Sequence, residues 1–226
     1  MAPTLTGLSV VVVILPLLQL VGPTHVNVLG RDSAELARMM SLSVMYYWIQ
    51  ALAIIALVVF WERRDLGSIG FKPIGRIDAM WAAAGVIASL LLFGTVFVFL
   101  PASLQSEIRQ LGRERLVTIA AIPLPVRVAA LFTAAITEEI LYRGYAIERL
   151  EELTGSTTIG ASIALVVFVL LHAQGWGLIG PIGAAPVAVV LVWLYLKRRN
   201  LPACMLMHFL QDAPGILLAP LLAAHT

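Results

Sequence analysis

The run Glu138-Glu139-Ile140-Leu141-Tyr142-Arg143 places two carboxylates and a guanidinium inside an oily stretch. It follows Val126–Ile136, which is broken only by Arg127 and Thr133. Each such charge costs about 2.5–3.5 kcal/mol at membrane depth, so a chain that keeps them there has a use for them. Helical spacing separates their jobs. Glu139 and Arg143 are four apart, share a face, and stand in the favourable acid-before-base order. Glu138 points about 100° away, lacks that partner, and is free for chemistry. Three more polar residues lie in apolar runs: His172, His208 and Asp212. The last two are four apart and share a helix face.

Such a set suits hydrolysis of a peptide bond. That reaction needs an activated water, a stabilised oxyanion and a proton for the leaving amine. A carboxylate in an apolar site is tuned toward a general base. A neighbouring imidazole holds the same water or shuttles the proton. A second imidazole with a polar partner hydrogen-bonds the oxyanion. Alternatively, two histidines and a carboxylate, from among His172, His208, Glu138 and Asp212, match the three-ligand pattern of a catalytic zinc with one position open to water. The short His-Glu-x-x-His signature is absent, as is a nucleophile elbow. Plainer readings stand beside these. Glu139–Arg143 is a structural ion pair, a lone histidine joins two helices, and Tyr142 and Phe168 are packing residues. The second acidic pair, Glu151-Glu152, is a solvated face. Cys204 is a small core residue. His25 and His225 lie near loops and ends. The co-occurrence of four polar groups in apolar segments favours a site.

The elements that position them are membrane helices. The chain has 226 residues, 60% hydrophobic and 12% charged, with a mean hydropathy of +0.94. Soluble domains carry about 25% charged residues. The net charge of +2 gives no reason to expect nucleic acid. One cysteine excludes an intrachain disulfide. The pattern predicts an all-α, polytopic bundle of about seven transmembrane helices, near 7–23, 42–61, 79–100, 126–153, 157–173, 180–197 and 202–223. The first is read as a retained helix, because no basic stretch precedes it and no clear cleavage site follows. The end of the fourth, Ala146–Leu153, projects into water. Pro214 and Gly215 predict a kink or break in the seventh. An interfacial helix is expected over Ser103–Leu116, with Arg109, Arg113 and Arg115 at the headgroups. One structural domain is expected, with N-terminal helices over 1–125, a catalytic core over 126–215 and a tail over 216–226.

Relative depth follows from one turn. Thr154-Gly155-Ser156 joins segments four and five, and Glu138 and His172 each lie 17 residues from Gly155. In an antiparallel hairpin both stand about 25 Å from the turn and face one another. His208 lies only about eight residues above the turn at Lys197–Asn200, so a tilted or broken helix is expected to bring it level. Eight basic residues (Arg63, Arg64, Lys72, Arg76, Arg149, Lys197, Arg198, Arg199) fall on one side of seven spans. Five (Arg31, Arg38, Arg109, Arg113, Arg115) fall on the other. The bias predicts a cytoplasmic N-terminus and an outside C-terminus in the cell membrane.

Three motifs then stand in order: Glu138-Glu139-x-x-x-Arg143, Phe168-x-x-x-His172 and His208-x-x-x-Asp212. Together they resemble the CPBP family, the CAAX-processing and bacteriocin-processing intramembrane proteases, also called Abi. The resemblance covers about 126–215. It implies an all-helical peptidase with a conical cavity open toward the cytosol. It implies that Glu138 and His172 activate water, that His208 and residue 212 stabilise the oxyanion, and that Glu139 and Arg143 position the site. Zinc and a metal-free glutamate mechanism both stay open. Partners would be the lipid bilayer and a peptide or lipidated peptide, with no nucleic acid. The chain departs at 212, where the family has asparagine or a similar residue. An ionised aspartate cannot donate to an oxyanion, so Asp212 is protonated, orients His208, or helps hold a metal. Two other functions fit the same composition: a non-proteolytic scaffold or regulator, and a transporter.

Overall fold

The computed structural model describes residues 2–14, 32–173, 177 and 179–225. The described residues are all helical or irregular, with no strand among them. Helix α1 (Ala2–Ser9) runs into a π turn. Helix α2 (Ser33–Ala56) does likewise, so a continuous rod spans Ser33–Trp61. It starts earlier than expected because the Asp32 side chain accepts from Glu35 N and caps the first turn. Helices α3 (Arg76–Phe99) and α4 (Ala102–Ala120) follow. A bend of 120° leads from α4 into the rod Leu124–Thr154. That rod comprises α5 (Leu124–Thr133), a π-helix (Ala134–Ile147) and α6 (Glu148–Thr154). Then come α7 (Thr157–Leu171), α8 (Ile179–Arg198), α9 (Leu201–Leu217) and α10 (Ala219–Ala223).

The π-helix is the hub, packed against α2, α7 and α9. Helices α3 and α8 pack together, and each touches α9 or α7. Large apolar side chains face outward, with Phe99 83%, Phe60 78% and Leu91 67% exposed. In water such a surface would be a liability; against acyl chains it costs nothing. This is a membrane protein. Three helices are long and apolar enough to cross a bilayer alone: Ser33–Trp61, Arg76–Phe99 and Ile179–Arg198. A fourth crossing is gained if α4 and Leu124–Thr154 count as one bent span. The expected seven are thus met only in part. Helix α7 has 15 residues, about 22 Å, short of a hydrocarbon core of about 30 Å. Helix α9 stops at Leu217 after 17 residues. Its predicted break falls at Leu218 rather than at Pro214, which the helix accommodates near its C-terminus. Most of the first predicted span, 15–23, lies outside the described residues, as do His25 and Gln174–Trp176. A helix does form over the expected Ser103–Leu116, as α4, and Arg109 lies 5.5 Å over the Phe97 ring.

Ion pairs gather one end of the bundle. Arg149, with a side chain 0% exposed, bonds Glu62 at 2.7 Å and Glu152 at 3.2 Å. Arg64 also pairs with Glu152. Arg199 bonds Glu148 and Glu151, each at 2.7 Å. The predicted solvated face Glu151-Glu152 is accessible, with side chains 30% and 40% exposed, and it is also ion-paired, because Arg64, Arg149 and Arg199 converge on it. The Thr157 hydroxyl, then Arg199, hold the Glu151 carboxyl below its ordinary value. That contribution is present near neutral pH and fades as pH falls through the lowered value. A cavity of about 340 Å³ opens at this end, lined by residues including Lys72, Glu148, Glu152 and Arg199. None of the four candidate catalytic residues lines it.

The hairpin turns as the sequence predicts. Gly155 adopts φ 67°, and Ser156 caps α7. At the crossing, a Cβ added to Gly160 would lie 2.8 Å from Glu151 N and 3.2 Å from Ile147 O. Rigid backbone cannot yield, so Gly160→Leu should destabilise by about 1–3 kcal/mol or more. Thermal unfolding in detergent checks this; a wild-type midpoint would deny the close crossing.

Candidate active site

The π-helix carries Glu138, Glu139, Tyr142 and Arg143 on widened turns, a form found often at functional sites. Despite the wider turn, Arg143 Nη1 donates to Glu139 Oε1 at 3.0 Å. Both side chains are buried, at 1% and 0% exposure. The same Oε1 lies 2.8 Å from His208 Nδ1. Glu139 thus ties the π-helix to α9. The Arg143 guanidinium sits 4.0 Å over the Phe168 ring. Phe168 packs edge-on to Tyr142, with centroids 5.3 Å apart, and lies 4.7 Å from the His172 ring. Tyr142 and Phe168 are each 13 residues from Gly155, so their contact fixes the hairpin register. Both are packing residues within the site.

His172 ends α7, and its Nδ1 lies 2.9 Å from Phe168 O. A carbonyl only accepts, so Nδ1 carries the proton and Nε2 keeps a lone pair. His208 Nδ1 faces a carboxylate and likewise carries a proton. Its Nε2 lies 3.4 Å from Asp212 Oδ2 and 3.9 Å from Glu138 Oε2. Glu138 is within electrostatic reach of His172, His208 and Asp212. Its side chain is 17% exposed. The structure therefore brings Glu138, His172, His208 and Asp212 around one point, with Glu139 and Arg143 behind them.

No tilt or break is needed for His208. Helix α9 runs unbroken from Leu201 to Leu217. It simply starts deeper than α6 ends. A Cβ on Gly144 would meet Leu201 Cδ2 at 3.0 Å, so these two residues are level. From there His208 is seven residues along and Glu139 five, about one and a half to two turns in each case. Leu201 N donates to Gly70 O at 2.7 Å, and the Asn200 side chain caps Ala203 N at 3.1 Å. Those bonds fix where α9 begins. At the other end, buried Arg127 donates to Ile216 O at 2.9 Å, supplying a partner to a terminal carbonyl of α9.

The donor types suit zinc, and both histidines give their second nitrogen to an acceptor, as ligating histidines do. Yet among the described residues no group of three or more His, Cys, Asp or Glu is placed to hold a metal ion. The arrangement as it stands does not fit a metal, and no step is routed through one.

Sequence reasoning missed the third wall. Tyr47 of α2 is within electrostatic reach of Glu138, and Tyr142 within reach of both. Trp48 Nε1 donates to Thr133 Oγ1 at 3.0 Å and sets the level of α2. The available signal was polar: Tyr46, Tyr47 and Gln50 interrupt an apolar run.

Residues 120–214 match the family model described as Type II CAAX prenyl endopeptidase Rce1-like. No curated protein and no solved structure matches the chain. The matched stretch runs from the end of α4 to Pro214 and holds Glu138, Glu139, Tyr142, Arg143, Phe168, His172, His208 and Asp212. Through residues 120–214, less than half of its length, this chain is similar to the Rce1-like type II CAAX prenyl endopeptidases.

Proposed function

We propose that this chain is an intramembrane endopeptidase that hydrolyses a peptide bond of a membrane-associated, prenylated CAAX-type substrate. One observation carries the mechanism: among the described residues the Glu138 carboxylate has no hydrogen-bond partner, yet two imidazoles and Asp212 stand around it. Water enters between Glu138 and His172. His172 Nε2 accepts one water proton as a hydrogen bond and aims the oxygen. Glu138 takes the other proton as the oxygen attacks the carbonyl carbon. The resulting oxyanion is met by His208, acting as imidazolium, through Nε2–H. Collapse breaks the C–N bond, and Glu138 returns its proton to the leaving amine. Glu139 holds Nδ1–H of His208, and Arg143 balances the Glu139 charge. Asp212 orients His208 by accepting from Nε2–H until the oxyanion forms.

That role predicts an asymmetry. Asp212→Asn keeps an accepting oxygen and should retain cleavage to within about tenfold. Asp212→Leu removes a charged hydrogen bond and should lose about ten- to a hundredfold. Equal losses in both would remove Asp212 from the orienting role.

The eight basic residues of one predicted side also suggest the orientation. Arg63, Arg64, Lys72, Arg76, Arg149 and Lys197–Arg199 occur in segments that the ion pairs draw to one end, where α1 also packs. A positive-inside reading makes that end, and the N-terminus, cytoplasmic in the cell membrane. The decisive test is purified wild type against Glu138→Gln on a quenched prenylated-peptide library, with and without chelator. Cleavage by the wild type alone, chelator or not, is expected. Loss in chelator would reassign the donors to a metal, and equal cleavage by both proteins would sink the mechanism.

A further inference from the structure

The inner stripe of α2 holds one residue that the mechanism does not use. Gln50 is 5% exposed, and among the described residues neither its amide nitrogen nor its oxygen has a hydrogen-bond partner. The Tyr46 hydroxyl approaches the amide without completing a bond. A buried, unpaired amide is expensive, and native folds rarely keep one without a use. Its level is fixed by two bonds between parallel rods. Trp48 meets Thr133 at 3.0 Å, and Glu62 meets Tyr145 at 2.9 Å. Two residues beyond Trp48, Gln50 is therefore level with about Ala135, roughly one helical turn from Glu138. Tyr47, three residues away on the same face, is within reach of Glu138. The Tyr142 hydroxyl, also buried and unpartnered, faces the same group of tyrosines.

We infer that Gln50 binds the substrate backbone, its carboxamide pairing one N–H and one C=O of the peptide laid across Glu138. The inference rests on the peptidase reading above. The chemistry matches: a primary amide presents a donor and an acceptor, as a peptide unit does. In a site of low dielectric those bonds count for more than in water. Side-chain identity is not read this way, so Gln50 grips any sequence in the extended form.

The test measures binding apart from cleavage. A dye-labelled farnesylated peptide ending in cysteine, two aliphatic residues and one further residue is titrated onto Glu138→Gln protein in nanodiscs. The same titration is made with Gln50→Leu added. Gln50→Leu should weaken binding about three- to tenfold. In the wild-type background it should raise KM by the same factor and leave kcat within about twofold. N-methylation of the contacted peptide nitrogen removes one of the two bonds and should shrink the difference between the two proteins. The thermal midpoint should not fall, since an unpaired amide is removed. Equal affinities, including no binding to either, overturn the inference, as does a marked fall in midpoint. A binding difference without any cleavage by the wild type would leave Gln50 in place and sink the peptidase reading instead.

Discussion

Glu138→Gln protein is expected to lose about 10²- to 10⁴-fold in kcat, with little change in KM. That is the usual contribution of a positioned general base. The substitution is nearly isosteric, so packing around the π-helix should survive. It removes the one group that takes the water proton. Glutamine still reaches the same space but cannot accept that proton. The neighbours argue for the same size of effect. Glu139 cannot stand in, because its Oε1 is committed to Arg143 and His208. Asp212 is exposed to 36%, and its Oδ2 is held 3.4 Å from His208 Nε2. Initial rates on the best-cleaved peptide give the answer. A drop of less than tenfold would show that another group activates the water.

Arg143→Met should cost about 3–5 kcal/mol of stability. Removing one partner of a buried ion pair leaves the other charge unpaired in a medium that cannot solvate it. Glu139 is fully buried, and among the described residues its only other side-chain hydrogen bond runs to His208. The guanidinium contact with the Phe168 ring is lost as well. Expression and thermal midpoint in detergent should both fall. The double variant Glu139→Leu with Arg143→Met separates stability from function. Replacing a buried pair by apolar residues is often neutral or stabilising. Folding should therefore recover while cleavage stays lost, because His208 Nδ1 no longer has its carboxylate. An Arg143→Met midpoint equal to wild type would make the pair dispensable to the fold.

Much of the site was legible because helices are periodic. Spacing alone paired Glu139 with Arg143 and left Glu138 apart, and the 3.0 Å bond agrees. One tight turn at Gly155 set the hairpin register, and the Tyr142–Phe168 contact fits it. Both follow from local geometry, in which a count of residues converts directly into angle and rise. The ordered motifs then carried the resemblance, and the family model matches the same stretch, residues 120–214.

Other features depended on packing between distant segments. Nothing local to 201–217 says how deep α9 begins; Gly70 O, Asn200 and the Gly144–Leu201 contact decide it. The expected tilt of His208 failed for that reason. The ion pairing of the solvated Glu151-Glu152 face was not legible, because Arg64 and Arg199 come to it from segments remote in sequence. The approach of Tyr47 and Gln50 came from two long-range bonds between α2 and the rod Leu124–Thr154. The sequence by itself determined a helical membrane chain with a Glu–His hairpin at its centre. Tertiary structure alone decided that a third helix delivers His208 to Glu139, and which polar side chains gather around Glu138. The physical reason is that a helix fixes its own periodicity, while its depth and rotation against a neighbour are set only by side chains that are remote in sequence.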